Sequence, residues 1–421
     1  MRAFGISGFV ILIILLAAAP LTGDMSMLNV LIKVFIAAIF ALGFNLLWGQ
    51  AGLLSFGHAA YFGIGTFAAI YLMDVIDRGL AFPTPLVPLA GAAAGFLFGL
   101  VAGWFATIRS GVYFAMITVA LAELTAALAV KWESLFGGEA GIRSIRSPWG
   151  PFKFQSTTDV YYLILVWTVL VIVFLLWLQR SPWGLIVRGI REREERVRFI
   201  GYKSHAVKTL VFAISAAIAG LAGALLALSN EAANMVLLQS TGSAFVVLNT
   251  VIGGANVFGG PIVGAALTTI FSYYVADITH YWMLYLGLLF IALVLYAPSG
   301  LVGLVAERAK AVRGGEKQWM SAAEAMLIAG LATLLAGAVL AIELTGAVLA
   351  PEYKAQILAN SGQWPAVRVF GVAWPPLSPI SFLTVIALFG FGIGLMRASS
   401  SNSGWALFRP KSLVLKAGSK S

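Results

Sequence analysis

The stretch Gly49–Ile70 reads GQAGLLSFGHAAYFGIGTFAAI, and it places five glycines and one of the chain's three histidines inside a long apolar segment. Glycine is a poor helix former, less favourable than alanine by about 1 kcal/mol in a helix interior. A helix rich in glycine is useful where two backbones must approach closely or where a passage is lined. The stretch therefore indicates close helix packing beside a path.

The composition of the whole chain is that of a membrane protein. Of its 421 residues, 60% are hydrophobic and 10% are charged, whereas about 25% are charged in an ordinary soluble domain. Mean hydropathy is +0.94. Apolar runs of about 20 residues are long enough to cross the bilayer as helices, and the ten-residue alternation of a transmembrane barrel is scarce. The predicted fold class is all-α, a polytopic transmembrane helical bundle.

The apolar runs predict about 10 to 11 spans, each close to the length that crosses the hydrocarbon core. The first run could be a signal peptide, but the next span follows closely and we interpret the first as a retained helix. The predicted spans are 6–20, 28–48, 53–73, 84–106, 112–130, 160–178, 208–228, 282–298, 323–348 and 379–396.

Basic residues indicate which side of the membrane each loop occupies. Three segments, Arg180–Lys208, 306–320 and the tail from Arg397, hold 17 of the 27 lysines and arginines. Because lysine and arginine accumulate in cytoplasmic loops, all three segments are predicted to be cytoplasmic. Both termini are then cytoplasmic, and the loop 131–159 lies outside.

Residues 240–276 do not fit a single crossing. Four glycines and a proline interrupt the segment at GGANVFGGP, Gly253–Pro261. Irregular backbone at membrane depth survives only where protein or a water-filled cavity surrounds it. The segment therefore predicts a broken or re-entrant element near 242–276 that lines a path, with gating candidates Gly253, Gly254, Gly259 and Gly260. The alternative is two tilted crossings with a glycine turn, which would invert the orientation of everything that follows.

Polar residues within the spans are few, so each is informative. Glu123 lies deep in its span, and it is either hydrogen-bonded to a serine or threonine of a neighbouring helix or exposed to a pathway. Asn45 and Asn249 are interpreted as side chains that bind helices together. Asn249 is also kept as a pathway candidate.

His58 is the one histidine of the opening stretch. The chain has no cysteine, and its other histidines lie in distant segments, so a Cys/His metal site is not predicted. The simplest interpretation is a polar contact that fixes the mouth of the helix. Ser55, His58 and Tyr61 are nevertheless kept as candidates for lining or gating a pathway.

The most charged segment, Ser181–Ser215, predicts a short helix on the cytoplasmic face that ends at Gly201. Glu192 and Arg196, and likewise Glu194 and Arg198, have the i, i+4 spacing of helical ion pairs. Such a helix could anchor to lipid headgroups or dock against a soluble partner, and composition leaves both open. The chain has no phosphate-binding loop of the G-x-x-x-x-G-K-[ST] type and no catalytic constellation, so it is not predicted to be an enzyme.

Six stretches resemble, in order, the pattern of LivM-like permeases of branched-chain amino acid ABC importers. Asn256 and Phe258 depart from the family's G-G-x-G-T run, and Arg193 and Glu194 stand where the family has N-E. The stretches are GQAGLLSFGHAAYFGIGTFAA (Gly49–Ala69), RSGVYFAMITVALAEL (Arg109–Leu124), FGGEAGI (Phe136–Ile142), SPWGLIVRGIREREERVRFIGYKSHAVKTLVFAISAAIAGLAGAL (181–225), VIGGANVFGGPIVGAAL (251–267) and LYAPSGLVGL (295–304).

The resemblance implies a permease subunit of the bacterial inner membrane. Its partners would be a homologous LivH-like permease, two cytoplasmic ATPase subunits that hold ATP and Mg²⁺, and a periplasmic solute-binding protein. The transported solute would be a branched-chain amino acid or a related small polar organic molecule. The chain itself would bind no cofactor and no nucleic acid.

The resemblance also assigns segments. Residues 1–305 would form the permease core, with a coupling helix at 184–203 that docks onto an ATPase through Arg191, Glu194, Arg196 and Gly201. The residues themselves predict a basic linker at 306–322 and a two-helix extension with a basic tail at 323–421, which is not a usual part of the family. The alternative function is an ion-coupled secondary transporter, for which broken helices and an intramembrane Glu123 would also be suited.

Overall fold

The computed structural model describes residues 13–150, 153–297, 299–314, 322–359, 364–369, 372–376 and 378–401. Of the predicted first span, residues 13–18 are helical and lead into a 3-10 turn at Ala19–Thr22. The remainder of that span lies outside the described residues. So do the tail residues Arg409, Lys411, Lys416 and Lys420.

The described chain is a succession of helices with two very small sheets. The helices are α1 Met25–Asn45, α2 His58–Asp77, α3 Val87–Ala106, α4 Val112–Lys131, α5 Thr157–Arg180, α6 Pro182–Phe199, α7 Ser204–Asn230, α8 Ser240–Gly253, α9 Gly260–Ala276, α10 Trp282–Tyr296, α11 Gly300–Arg313, α12 Ala322–Leu349, α13 Pro351–Ala359 and α14 Pro379–Ser401. Strand β1 (Ile142–Arg143) pairs antiparallel with β2 (Ala232–Ala233), and β3 (Val367–Val369) with β4 (Val372–Trp374).

Eight of the described helices are long and apolar enough to cross a membrane, while α8, α9 and α10 are apolar but shorter. This confirms the predicted class of polytopic helical membrane protein. One predicted span begins later than expected, at His58 rather than at residue 53, because α1 ends in a π-helical turn at Leu46–Gln50 and the chain then runs irregularly. Gly52 has a φ of +74° in that connection, a conformation that glycine adopts readily.

The chain divides into two compact units. One comprises residues up to 271 together with 299–303, and the other comprises 272–298 and the chain from 304 onward. This division differs from the predicted boundary at 305, since 272–298 packs with the second unit. The predicted linker 306–322 also begins as part of a helix, α11.

The centre of the first unit is α7, which packs between α2 and α3. Glycines recur every fourth residue along one face of α3, at Gly91, Gly95, Gly99 and Gly103, and all four are buried. A methyl group at Gly91 would lie 2.5 Å from Ala224 Cβ of α7. Small residues at this spacing let helix backbones approach closely in a membrane, and here they bring α3 onto α7.

The opening stretch confirms the prediction of close packing. A methyl group at Gly65 of α2 would overlap the backbone of Gly220 in α7, and one at Gly57 would overlap the Thr118 carbonyl of α4. One at Gly63 would lie 2.8 Å from Leu238 Cγ. The glycines therefore join α2 to three different neighbours.

Helices α8 and α9 form an antiparallel hairpin whose turn spans residues 254–259. Gly253 faces Gly260 at the turn, and Gly264 faces the Asn249 carbonyl so closely that a methyl group at either glycine would overlap the opposite backbone. The Thr268 hydroxyl donates a hydrogen bond of 2.5 Å to Asn249 Oδ1. The predicted break is therefore confirmed, and so is the role of Asn249 in binding two helices together.

The turn of this hairpin lies at the end of the first unit that carries α6, opposite the end that carries β1 and β2. A Cβ added at Gly254 in this turn would lie 3.4 Å from Gly300 Cα. Residues 299–303 of the first unit therefore lie at the same end of that unit as α6. The orientation in the membrane, and the choice between a re-entrant element and two tilted crossings, stay predictions.

In the second unit, α12 and α14 pack as a pair through Gly330 and Gly392. Helix α12 is also bound to the segment 272–298. Its Glu343 carboxylate accepts hydrogen bonds from the Thr279 hydroxyl and, at 2.6 Å, from the Tyr285 hydroxyl.

Candidate functional site

His58 is buried at the start of α2, where it joins three helices. Its Nε2 lies 2.7 Å from the Ser215 hydroxyl of α7, and its Nδ1 lies 3.0 Å from the Ser55 hydroxyl. Ser215 donates its own proton to the Gly43 carbonyl of α1 at 2.6 Å. Ser215 therefore accepts from Nε2–H, which leaves Nδ1 as the acceptor for Ser55. A neutral imidazole satisfies this set of hydrogen bonds.

Aromatic rings enclose the imidazole. Phe44, Tyr61 and Phe212 have ring centroids 5.2, 5.8 and 5.7 Å from that of His58. The structure therefore brings Ser55, His58 and Tyr61 together inside the packed core, as the polar contact that fixes the start of α2. A part for these three residues in the pathway stays a prediction.

Glu123 lies on the exposed face of α4, and its carboxylate accepts a hydrogen bond from the Ser240 hydroxyl at the start of α8. The surrounding exposed residues of α4 are apolar, Met116, Leu124 and Leu128 among them. An exposed carboxylate in the middle of an apolar transmembrane helix is expensive in contact with lipid. This face of α4 therefore suits an aqueous path or a protein partner.

The hairpin gathers most of the remaining pathway candidates. Asn249, Gly253, Gly254 and Gly260 lie where its two arms meet, whereas Gly259 has no atom near the position of an added Cβ. The first arm of the hairpin is also joined to the core, because the Ala59 amide donates to the Ser243 hydroxyl at 2.9 Å. Through Ser240, the same arm reaches Glu123.

Helix α6 consists of two helical segments. Ser181 caps the first segment by accepting from the Gly184 amide at 3.2 Å, and Arg193 interrupts the helix with extended dihedral angles, φ −155° and ψ 100°. The predicted Glu194–Arg198 ion pair is present at 2.7 Å. The predicted Glu192–Arg196 pair is wrong: it is not among the ion pairs of the described residues, since the interruption at Arg193 lies between the two side chains.

Glu194 binds the second segment of α6 to α7. Its carboxylate receives Lys208 Nζ at 2.5 Å and the Ser204 hydroxyl at 2.8 Å in addition to Arg198. Burial alone raises the pKa of the Glu194 carboxyl. The hydrogen bonds from Lys208, Ser204 and Arg198 outweigh burial and lower this pKa to about 2. Glu194 is therefore ionised and committed to contacts within the chain.

Arg191 also faces the chain itself. Its guanidinium donates to the Gly49 carbonyl at the end of α1 and, at 3.0 Å, to Asn256 Oδ1 in the hairpin turn. Of the four residues predicted to touch an ATPase, Arg196 is exposed, and Gly201 ends the segment with a φ of +99°. Arg191 is exposed as well and Glu194 is half-buried, and contact of these four residues with an ATPase stays a prediction.

Two exposed apolar residues at the end of α6 did not figure in the sequence analysis. The side chains of Phe199 and Ile200 are 91% and 74% exposed. They stand among the charged residues Glu195, Arg196 and Arg198. In the sequence, the only sign of this exposed pair is that two large apolar residues precede the turn glycine Gly201. Helical periodicity does not determine whether their side chains pack against the protein or face outward.

Comparison with known proteins identifies a family. Residues 26–299 match the family described as "Branched-chain amino acid transport system / permease component". The matched segment ends close to the predicted end of the core at 305. No solved structure matches the chain.

Individual relatives are similar over most of the chain. The high-affinity branched-chain amino acid transport system permease protein LivM of Escherichia coli is 28% identical over 333 residues, which are 73% of this chain and 77% of that protein. LivM of Salmonella typhimurium is 28% identical over 331 residues, with the same coverage. The permease protein BraD of Pseudomonas aeruginosa is 23% identical over 282 residues, 63% of this chain and 91% of that protein.

Proposed function

The chain belongs to the branched-chain amino acid transport permease family and is the permease subunit of an ABC importer, and we propose that it carries a branched-chain amino acid or a related small polar organic solute. The observation behind this proposal is the family match, which covers α1 to α10 and includes both α6 and the hairpin. The relatives are branched-chain amino acid permeases by name.

The complete importer would contain further subunits. A LivH-like permease would form the other half of the path, two cytoplasmic ATPase subunits would hold ATP and Mg²⁺, and a periplasmic binding protein would deliver the solute. The basic segments favour an inner-membrane protein with both termini in the cytoplasm. The ATPase subunits would drive transport by moving α6, the charged helix that connects α5 to α7.

The exposed face of α4 is the side on which we place the path. Glu123 is an ionisable residue in a helix whose neighbouring exposed residues are apolar. A second permease against this face would shield the carboxylate from lipid and leave it facing the solute. The contact with Ser240 would then join the path to the hairpin.

Phe199 and Ile200 are the residues that we propose to enter a groove of the ATPase. Large apolar side chains surrounded by charges are typical anchors of a protein interface, where a few buried residues supply most of the binding energy. Headgroup anchoring is the other use of such a pair. It would make α6 bind vesicles in the absence of any ATPase.

The docking test uses the double variant Phe199→Ser/Ile200→Ser in the co-expressed complex. Loss of two anchors should weaken ATPase retention in a pull-down by about 100-fold, at about 1.4 kcal/mol for each tenfold. The matched control is Leu97→Ser, an exposed apolar residue of α3, with ATPase retention unchanged. Full retention by the double variant would exclude docking through these residues.

The transport test reconstitutes the full complex with leucine-loaded binding protein in proteoliposomes. Uptake should require internal ATP and should continue in the presence of a proton ionophore. Uptake that collapses with the ionophore and ignores ATP would contradict the energy source. ATP-dependent import of a different solute would leave the importer assignment intact and overturn the solute class.

A further inference from the structure

A single guanidinium joins three elements at the cytoplasmic end of the first unit. Arg191 lies in the first segment of α6, Gly49 ends α1, and Asn256 lies in the turn of the α8–α9 hairpin. We call Arg191, Gly49, Gly52, Ala255 and Asn256 the arginine junction. Arg191 is itself exposed, and its contacts lie on the side of α6 that faces α1 and the hairpin.

The chemistry of the junction suits arginine. A guanidinium presents several N–H donors in a rigid plane, so Nη1 and Nη2 reach two acceptors on different elements at once. One of these acceptors is a carbonyl at the C-terminal end of α1, where the helix dipole favours a cation. A lysine ammonium is a point charge that would hold one acceptor well and the other poorly.

The backbone leaves room for this side chain. The Cγ of Arg191 would lie 2.9 Å from a Cβ at Gly52, and the Ala255 carbonyl would lie 2.6 Å from one at Gly49. The end of α1 and the hairpin turn are therefore in direct contact, with the arginine stem lying over Gly52. Asn45, 2% exposed, has a buried Oδ1 with no partner among the described residues. One acceptor beside the junction, next to Gly49, is therefore left unsatisfied in this conformation.

The two segments of α6 are held by different parts of the fold. Arg191 binds the first segment to α1 and the hairpin, and Glu194 binds the second segment to α7. The extended Arg193 separates these two attachments. A residue outside the helical region between two rigid segments is the usual form of a hinge.

We propose that Arg191 is a positioning residue that transmits movement of α6 to the turn of the α8–α9 hairpin. The inference rests on the proposed function, in which an ATPase moves α6. A shift of the first segment would pull the guanidinium, and with it Asn256 and the hairpin turn, relative to the bilayer core. Asn256 stands where the family pattern has glycine, so this attachment depends on a side chain that the pattern lacks.

The experiment compares Arg191→Ala, Arg191→Lys and Asn256→Gly in the complete reconstituted importer. Arg191→Ala should lower leucine transported per ATP by about tenfold, with ATP turnover and ATPase retention within about twofold of the unaltered complex. Arg191→Lys and Asn256→Gly each keep one attachment and should fall between. The control is Arg78→Ala, an exposed arginine that pairs with Asp74 of its own helix, with no change expected.

A second readout reports the turn itself. The chain lacks cysteine, so Val257→Cys introduces a unique thiol in the hairpin turn. With Arg191 present, adding ATP and vanadate should change the maleimide labelling rate by about threefold or more, because nucleotide-driven movement reaches the turn. In the Arg191→Ala background the rate should not respond to nucleotide.

The outcomes separate the possibilities. Loss of ATPase retention in Arg191→Ala would make Arg191 a docking residue and overturn the proposal. Unchanged transport per ATP together with unchanged nucleotide-dependent labelling would also overturn it. An unaltered complex that neither binds ATPase subunits nor uses ATP would instead contradict the proposed function.

Discussion

The residue that best shows how α6 is attached to the rest of the first unit is Glu194. It is ionised in a partly buried position because three donors converge on it, and one of them, Lys208, has only 5% of its side chain exposed. Removing one partner of such a pair leaves the other charge buried without compensation. The pair is therefore more sensitive to a single change than to a double one.

We expect Glu194→Gln to lower the free energy of unfolding by about 2 kcal/mol, a value reduced from that of a fully buried pair because Glu194 is partly exposed. The double variant Glu194→Gln/Lys208→Met should recover most of the loss. The melting temperature of the detergent-solubilised permease measures both. Equal melting temperatures for the unaltered protein and Glu194→Gln would contradict an important ion pair.

The same pair has a pH dependence of definite sign. The pKa of Glu194 is lowered by folding, so its contribution to stability is present above the ordinary value of 4.5 and is lost as the pH falls toward about 2. Melting temperatures measured across this window should fall more steeply for the unaltered protein than for Glu194→Gln. Parallel curves would be inconsistent with the assigned shift.

At the scale of elements, glycine spacing determines which helices touch. The glycines of α3 all face α7, while Leu97 of the same helix is exposed. Close contact between helix backbones is a main source of helix association in lipid. The four glycines of α3 (Gly91, Gly95, Gly99 and Gly103) therefore act as one packing surface, the glycine stripe.

Gly95→Leu should prevent α3 from seating on α7, because a Cβ at Gly95 would already overlap the Ala216 carbonyl. We expect a fall of several-fold in the monodisperse fraction on fluorescence-detected size exclusion. Leu97→Ala, a change on the opposite face, should leave that fraction unaltered. Equal behaviour of the two variants would show that the stripe does not control packing.

The α8–α9 hairpin offers a second matched pair of variants, at Gly253 and Gly259. A methyl group at Gly253 would overlap the Gly260 carbonyl, whereas Gly259 has open space around the corresponding position. Gly253→Ala should therefore separate the two arms and reduce both stability and uptake by about tenfold or more. Gly259→Ala should behave as the unaltered protein in thermal melting and in uptake per folded complex. Loss of activity in Gly259→Ala would indicate a role in the path itself.

At the scale of the whole molecule, the family match and the compact units end at different places. The match stops at 299, but the second unit includes 272–298, to which α12 is bound through Glu343. The C-terminal helices therefore support a segment of the family core. They are attached by specific polar contacts within the second unit.

Truncation after Gly314 removes α12 and α14 and leaves Thr279 and Tyr285 without the Glu343 carboxylate. We expect the truncated chain to retain its ATPase subunits, because α6 and its attachments belong to the first unit. Its melting temperature should fall by several degrees because the Glu343 contacts with 272–298 are lost. Complete loss of ATPase binding in a pull-down would mean that the extension supports α6 as well.

Much of this architecture could be predicted from the residues. The long spans, the break at Gly253–Gly260 and the charged helix after α5 all depend on local properties, namely the length of apolar runs, the helix-breaking effect of glycine and proline, and charge. The glycines of α3 are equally visible in the sequence, because they recur at every fourth residue. The predicted pair of Glu192 and Arg196 is wrong because an interruption at one residue, Arg193, leaves no periodic signal in the sequence.

The chain read alone thus establishes that the protein crosses a membrane as a bundle of helices, where those helices lie, and that residues 240–276 fold back at their glycines. It does so because hydropathy and backbone propensity act over a few turns of chain. The folded arrangement was needed to bring Arg191 and Glu194 into contact with distant parts of the chain, to enclose His58 between α1 and α7, and to expose Phe199, Ile200 and Glu123. The direction of a side chain depends on how its helix is rotated against partners that are distant in sequence.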